Sequence, residues 1–273
     1  MQIARVGRLN LAYYTYGEGF PLLLIQGLGG RAADWGSVPG LLESHFRVIT
    51  FDNRGTGKSD KPDEDYTLEG MADEAVGILD AAGHARAHVV GVSMGGMIAQ
   101  LVALRHPQRV QRLALLSTGP GGSRTVPPSP QAMLALIPDL SKPPEEIVRR
   151  ALRAIAAPGF ADAHPAVIQQ IVAVAMDALT PQFVFARQMA AIMASDRYDQ
   201  LPAISTPTLV VHGDADPLVP YANGELLAQR IPGARLHTLA GCGHLAMWEQ
   251  PRQLAAALLE FLRAPVEARE QPV

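Results

Sequence analysis

The run Ala87-His-Val-Val-Gly-Val-Ser-Met-Gly-Gly-Met-Ile-Ala-Gln100 constrains this chain more than any other. It holds Gly91-Val92-Ser93-Met94-Gly95, a G-x-S-x-G pattern. An apolar, β-branched run enters the pattern, and a helix-forming run leaves it. A serine on so tight a strand-to-helix turn is pushed into solvent at the carboxyl end of the strand. Residues two positions away must be small, or their side chains collide across the turn; glycine stands at 91 and 95. The helix starting at Met94 points its first amides at any anion formed beside Ser93. A Gly/Ser connector can carry the same letters, but it lacks the flanking strand and helix.

A serine hydroxyl is a weak nucleophile. It needs a base, and the base needs an orienting acid. Thr208-Leu-Val-Val-His-Gly-Asp-Ala-Asp-Pro-Leu-Val-Pro220 reads as a buried strand ending in acids. Arg235-Leu-His-Thr-Leu-Ala-Gly-Cys-Gly-His244 reads as a strand ending in a histidine on a glycine-rich loop. Of eight histidines, only His244 sits on a Gly-flanked loop after the last expected strand, whereas His88, His212 and His237 lie within strands. Asp214 and Asp216 compete as the acid. Their spacing with His212 also suits a metal, but no further histidine cluster supports one, so no metal is expected.

Continuous apolar runs occur at Pro21–Ile25, Phe46–Phe51, His88–Val92, Leu113–Leu116, Leu209–Val211 and Leu236–Leu239. Runs without alternation fit strands covered on both faces, hence a parallel sheet with helices on each side. Residues 2–17 alternate loosely and read as an antiparallel hairpin. Helical patterns fall at 68–83, 94–106, 221–231 and 246–263, giving a βαβ succession. Residues 121–200 break it. They open with Gly121-Gly-Ser-Arg-Thr-Val-Pro-Pro-Ser-Pro130, then carry helical segments near 144–157, 165–178 and 181–195 and no strand-like run. The tail from Ala264 to Val273 reads as frayed.

In order, Gln26-Gly-Leu-Gly-Gly30, Asp52-Asn-Arg-Gly-Thr-Gly-Lys-Ser-Asp60, Gly91-Val-Ser-Met-Gly-Gly96, Gly213-Asp-Ala-Asp216 and Gly241-Cys-Gly-His244 resemble the α/β-hydrolase fold superfamily, of the esterase, lactonase and C–C hydrolase type. The resemblance covers nearly all of the chain except its middle. It implies an α/β fold with a mostly parallel eight-stranded sheet flanked by helices. Residues 1–120 and 201–273 would form the core, and 121–200 an inserted helical cap. It also implies Ser93 as nucleophile and His244 as base. Because the family places its acid three residues beyond the glycine ending the strand, it favours Asp216. The Met94 and Leu28 amides are the implied oxyanion donors. Gln26 stands where the family usually has histidine. The run after Ser93 resembles 3-oxoadipate enol-lactonases and kindred esterases.

The expected activity is hydrolysis of a small-to-medium apolar carboxylic ester or lactone through an acyl-enzyme, with no cofactor. C–C bond hydrolysis of a vinylogous diketone is the alternative on the same fold. A rival of another class is an NAD-binding oxidoreductase, because Gly27-x-Gly29-x-x-Ala32 follows a strand and Asp52 ends the next one. Against it, Gly36, Pro39 and Gly40 interrupt the helix such a site needs. Gly55-Thr-Gly-Lys-Ser59 resembles a phosphate loop only in part, because Asp52 stands where its first glycine should be. Trp35 and Met247 are candidate pocket walls by position. So are some of Met133, Met176, Met189, Met193, Phe183 and Phe185, the rest filling the cap.

The 273 residues are 48% hydrophobic with a net charge of −3 and no basic run, so nucleic acid is an unexpected partner. One cysteine, Cys242, excludes an internal disulfide framework. There is no apolar run of ~18 residues, and the first eight residues lack a signal core. A cytoplasmic protein acting on a small molecule, away from membranes, is expected. Oligomeric state is not legible.

Overall fold

The computed structural model describes residues 1–137, 139 and 141–264; the tail expected to fray lies, from residue 265, outside them. One sheet of eight strands organises the chain: β1 (Gln2–Val6), β2 (Leu9–Tyr16), β3 (Pro21–Ile25), β4 (Arg47–Phe51), β5 (Ala87–Val92), β6 (Val110–Leu116), β7 (Thr208–Gly213) and β8 (Arg235–Leu239). Their order in space is β1-β2-β4-β3-β5-β6-β7-β8. The β1–β2 and β2–β4 pairs are antiparallel, and every other pair is parallel.

The unalternating apolar runs are explained by two cores. In β3, Leu23 and Ile25 enter one cluster while Leu22 and Leu24 enter the other, and all five residues are buried. In β6, Leu113 and Leu115 face one way, Ala114 and Leu116 the other. Helices α2 (Leu68–Ala81) and α3 (Met94–Arg105) cover the first face. Helices α1 (Val38–Leu42) and α11 (Pro251–Arg263) cover the second. Helix α3 is apolar on nearly all sides because it lies between α2 and the sheet.

Between β6 and β7 the described chain is helical apart from turns and one isolated bridge: α4 (Pro130–Ala135), α5 (Pro144–Ile155), α6 (Phe160–Ala163), α7 (Pro165–Asp177) and α8 (Gln182–Ala194). The short α4 and α6 were not legible from periodicity, since one or two turns cannot display a 3.6-residue repeat. Helices α5 to α7 share a small cluster around Leu152, Ile168 and Val172. Helix α8 instead sends Val184 and Ala191 into the main core. After β7 comes α9 (Ala222–Arg230), and after β8 the expected helix over 246–263 divides into α10 (Ala246–Glu249) and α11. Pro251 explains the break: it has no N–H to continue the ladder, and Gln250 before it leaves helical geometry at φ −138°. Among the described residues, no single helix is long and apolar enough to cross a membrane.

His88 is a buried titratable group inside the sheet. It lies between Phe20 and Phe46, with ring centroids 4.8 and 5.7 Å away. Burial first, then the Arg112 and Arg86 charges, pull its pKa down to about 4. The sign follows directly. Above ~6.5 the imidazole is neutral in folded and unfolded chains alike. Between ~6.5 and 4 the unfolded chain takes up a proton that the folded chain refuses, so acidification destabilises the fold across that window. The full loss is on the order of 3 kcal/mol. Urea unfolding midpoints from pH 7.5 to 4 are expected to fall more steeply for wild type than for His88→Gln. Parallel slopes would remove His88 from the acid sensitivity.

Candidate active site

Four loops, at the carboxyl ends of β3, β5, β7 and β8, meet in space. At the first corner of α3, Ser93 holds φ +55° and ψ −122°, a strained setting for a residue with a side chain. The neighbouring glycines show why the turn closes. A Cβ on Gly91 would lie 2.1 Å from the Gly95 carbonyl oxygen, and one on Gly95 would lie 2.1 Å from the Ile25 carbonyl oxygen. Thr118, just beyond β6, donates its hydroxyl to the Ser93 carbonyl at 2.7 Å.

His244 and Asp216 are both buried, and Asp216 Oδ2 lies 2.8 Å from His244 Nδ1. A carboxylate can only accept, so Nδ1 carries the hydrogen and the Nε2 lone pair is left for a proton. Asp216 Oδ1 accepts from the Leu218 and Val219 amides, each at 2.9 Å. Asp214, the rival acid, turns away and accepts the Gly241 amide at 2.6 Å. The two loops run against each other: Ala215 N–H donates to the Cys242 carbonyl at 3.0 Å, and a Cβ on Gly213 would meet that oxygen at 2.2 Å. Cys242 is buried between them, and burial pushes its thiol pKa up. His212 sits 3.6 Å from Asp216 Oδ2 and donates Nε2–H to the Val219 carbonyl at 2.8 Å. Burial pulls its pKa down, which favours the neutral ring. Among the described residues no three His, Cys, Asp or Glu side chains converge as a metal site.

The β3 loop passes over Ser93 closely enough that a Cβ on Gly27 would lie 3.1 Å from Ser93 Cβ. Gln26 anchors it: Oε1 accepts the Gly27 amide at 3.0 Å, and Asn53 donates to the Gln26 carbonyl at 2.8 Å. Among the described residues, neither the Leu28 nor the Met94 amide has a protein acceptor. Both residues line one cavity of about 520 Å³ with Ser93 and His244. Its roof is apolar, drawn from α4, α5, α7 and α8, and includes Met133, Leu152, Ile171, Phe185, Met189 and Met193. Met247 lines it too, as does Trp248, whereas Trp35 is a fully buried core residue away from it. Met176 and Phe183 are exposed and lie outside the lining. Arg31 is the one Arg or Lys among the described lining residues. It is committed: it donates to the Val174 carbonyl and pairs with Asp177 at 3.4 Å and Asp34 at 3.9 Å.

Two polar residues that hold this site did not stand out in the sequence. Glu249, five residues past His244, accepts the Gly243 and Leu245 amides at 2.8 and 3.0 Å and the Ala157 amide at 3.1 Å. The His244 amide itself donates to the Ile155 carbonyl at 2.9 Å. An acid closing a short helix after a catalytic-type loop was the available signal. Gln188, the other, contacts residues more than a hundred positions away, and only its place in an apolar stripe hinted at it.

The dinucleotide reading does not fit the loop. After Ala32 the chain makes a single 3-10 turn to Trp35 and then only the five-residue α1. Asp52 is spent on the Ala32 and Lys58 amides at 2.9 and 2.8 Å, with no oxygen turned toward a ribose. The partial phosphate-loop motif is likewise internal: Thr56 donates to the Gly30 carbonyl at 3.0 Å and Ser59 to the Asp52 carbonyl at 2.6 Å.

Comparison with known proteins agrees with this fold. The family model described as alpha/beta hydrolase fold matches residues 21–171 and 178–251. A 2-hydroxymuconate semialdehyde hydrolase of Pseudomonas putida is 33% identical over 93% of this chain and 90% of its own. The enol-lactonase of Burkholderia xenovorans LB400 superposes with a TM-score of 0.83 at 29% identity, covering 96% of this chain and 99% of that one. Est816, described as an N-acyl homoserine lactone degrading enzyme, also gives 0.83, at 31% identity over 95% of this chain and all of its own.

Proposed function

The chain belongs to the α/β-hydrolase fold family, and from that membership we propose a serine hydrolase that cleaves a small-to-medium apolar carboxylic ester or lactone. Ser93 Oγ attacks the carbonyl carbon while His244 Nε2 takes its proton. Asp216 holds the imidazole by Nδ1–H and stabilises the cation that forms. The Leu28 and Met94 amides receive the oxyanion. His244 then protonates the leaving alkoxide, which in a lactone stays tethered to the acyl group. Water, deprotonated by His244, releases the acid. Residues 121–200 act as the cap over this chemistry.

The observation that carries the ester or lactone reading is the lining. The cavity is apolar around Ser93, and its Arg31 guanidinium is already taken by Asp34, Asp177 and a carbonyl. A muconate semialdehyde, the substrate in the Pseudomonas relative's name, carries a carboxylate that would have to enter without a free cation to meet it. A neutral ester has no such cost. The C–C reading keeps one support, the names of such relatives at about a third identity. The deciding measurement is kcat/KM on an ester series, one lactone and one vinylogous diketone carboxylate. A diketone turned over better than every ester would overturn the substrate class.

Chain length tests the roof separately. Each methylene that fits is expected to raise kcat/KM about fourfold, from ~0.8 kcal/mol of burial, until the cavity is full. Met189→Trp, on a lining residue, is expected to move the maximum toward shorter acyl groups. Nitrophenyl esters from acetate to palmitate provide the scale. A rise that continues to palmitate would mean an open groove.

A further inference from the structure

The turn that presents the Leu28 amide is held by α8 and by the connection from α7 that leads into it. It runs from Gly27 to Gly30, closed by the Gly30 amide on the Gly27 carbonyl at 3.0 Å. Its third residue, Gly29, has φ +69°, the setting of a type II turn. In such a turn the central peptide is the soft element, because it can rotate and exchange the positions of its N–H and C=O. Here that peptide is gripped. Gly29 N–H donates to Gln188 Oε1 at 2.7 Å, and the next carbonyl, Gly29 C=O, accepts from Thr180 Oγ1 at 2.8 Å. Gln188 Nε2 meanwhile donates to the Arg54 carbonyl at 2.9 Å, so the amide cannot reverse without losing both bonds.

Gln188 is an anomaly on its own helix. Val184, Gln188 and Ala191 form the buried stripe of α8, and the residue between two core members is a fully buried glutamine. A buried amide costs stability unless both ends are satisfied. Both are, and one end lands on the residue after Leu28. An acceptor at that point fits an N–H and rejects a C=O, so it selects one orientation of the Leu28–Gly29 peptide and, with Thr180 on the Gly29 carbonyl, restrains the turn whose preceding peptide carries the Leu28 N–H.

We propose that Gln188, seconded by Thr180, is a positioning residue through which α8 and the connection before it steady the turn that carries the Leu28 oxyanion amide. The inference rests on the serine-hydrolase reading above. The same segment therefore has two tasks: it shapes the acyl site, and it sets the donor geometry on which transition-state stabilisation depends.

The variants are Gln188→Leu, which keeps the volume and removes both bonds, and Thr180→Val, on a half-buried residue, with Thr180→Ser restoring the donor. Acetate and hexanoate esters and a trifluoromethyl ketone, which forms the oxyanion on Ser93, are the probes. Gln188→Leu is expected to lower kcat about 10- to 100-fold, less than the loss of a donor outright. The loss should be equal for both esters, with KM changed by less than about threefold. The ketone should weaken by a similar factor. Thr180→Val should show a smaller loss of the same kind, reversed in Thr180→Ser; this pair carries the test if Gln188→Leu does not fold. A change confined to KM, or one that differs between acetate and hexanoate, would mean that Gln188 only shapes the pocket and would overturn the inference. Unchanged kcat and ketone affinity in both Gln188→Leu and Thr180→Val, with Ser93→Ala inactive, would overturn it while leaving the serine reading intact. Full activity in Ser93→Ala would remove both.

Discussion

Ser93→Ala is expected to lower kcat by about 10⁴- to 10⁶-fold, the range seen when the nucleophile of such a triad is removed. The size follows from how the parts act together. His244 and Asp216 have no task without the hydroxyl, so one substitution disables all three. What survives is substrate binding and whatever the Leu28 and Met94 amides do for direct attack by water. The fold should not suffer. Alanine fits the volume, and the turn geometry at 93 is imposed by Gly91 and Gly95, whose missing side chains let β5, α3 and the β3 loop approach. Two readouts make the test sharp. Wild type should be labelled once by a phosphonylating reagent, at Ser93, and the variant should not be labelled there. Its unfolding midpoint should stay close to wild type, separating lost chemistry from lost structure. An active, unlabelled Ser93→Ala protein would end the acyl-enzyme mechanism for this chain.

The parts of this molecule that read clearly from sequence are those whose physics is local. The strand runs announced themselves because both faces of β3 and of the centres of β5 and β6 are covered, so apolar residues follow one another there without alternation. The elbow at Ser93 was legible because a tight turn dictates glycine at fixed spacing. The choice of Asp216 over Asp214 came from the resemblance, and the geometry puts Asp216 on His244 and Asp214 on a loop amide. What stayed hidden depends on contacts far along the chain. Gln188 reaches back to Gly29 and Arg54, and Glu249 ties the His244 loop to Ala157. No window of sequence contains either pairing. Trp35 was misplaced for a similar reason. Its neighbour Asp34 does reach the cavity, and the Asp34 carbonyl accepts from Trp248, but the Trp35 ring turns into the core. Position beside a functional loop does not give the direction of a side chain.

Asp216→Asn is the second large effect, and its comparison with Asp214→Asn isolates the role of the acid. Among the described residues, all the hydrogen bonds of the Asp216 carboxylate come from donors: two backbone amides on Oδ1 and the His244 Nδ1–H on Oδ2. Asparagine offers one acceptor and one donor group. If its oxygen keeps the Leu218 and Val219 amides, its NH₂ faces His244 Nδ1. That nitrogen must then accept, which moves the ring proton to Nε2 and leaves no lone pair for the Ser93 proton. If its oxygen faces His244 instead, the NH₂ confronts two N–H groups and the loop must shift. Either way the negative charge that would stabilise the imidazolium is gone. A loss on the order of 10⁴ in kcat is expected, as for the same change in a related triad. Asp214→Asn should cost far less, because among the described residues its side chain's one hydrogen bond is from the Gly241 amide, which the asparagine oxygen can accept equally well. The two variants differ by two positions in the same loop, so similar disturbance of that loop cannot explain a large difference between them. Measurement of kcat for both, with unfolding midpoints as a control, decides the assignment. Greater damage in Asp214→Asn would reverse it, and equal damage would mean that the loop, rather than one carboxylate, is what activity requires.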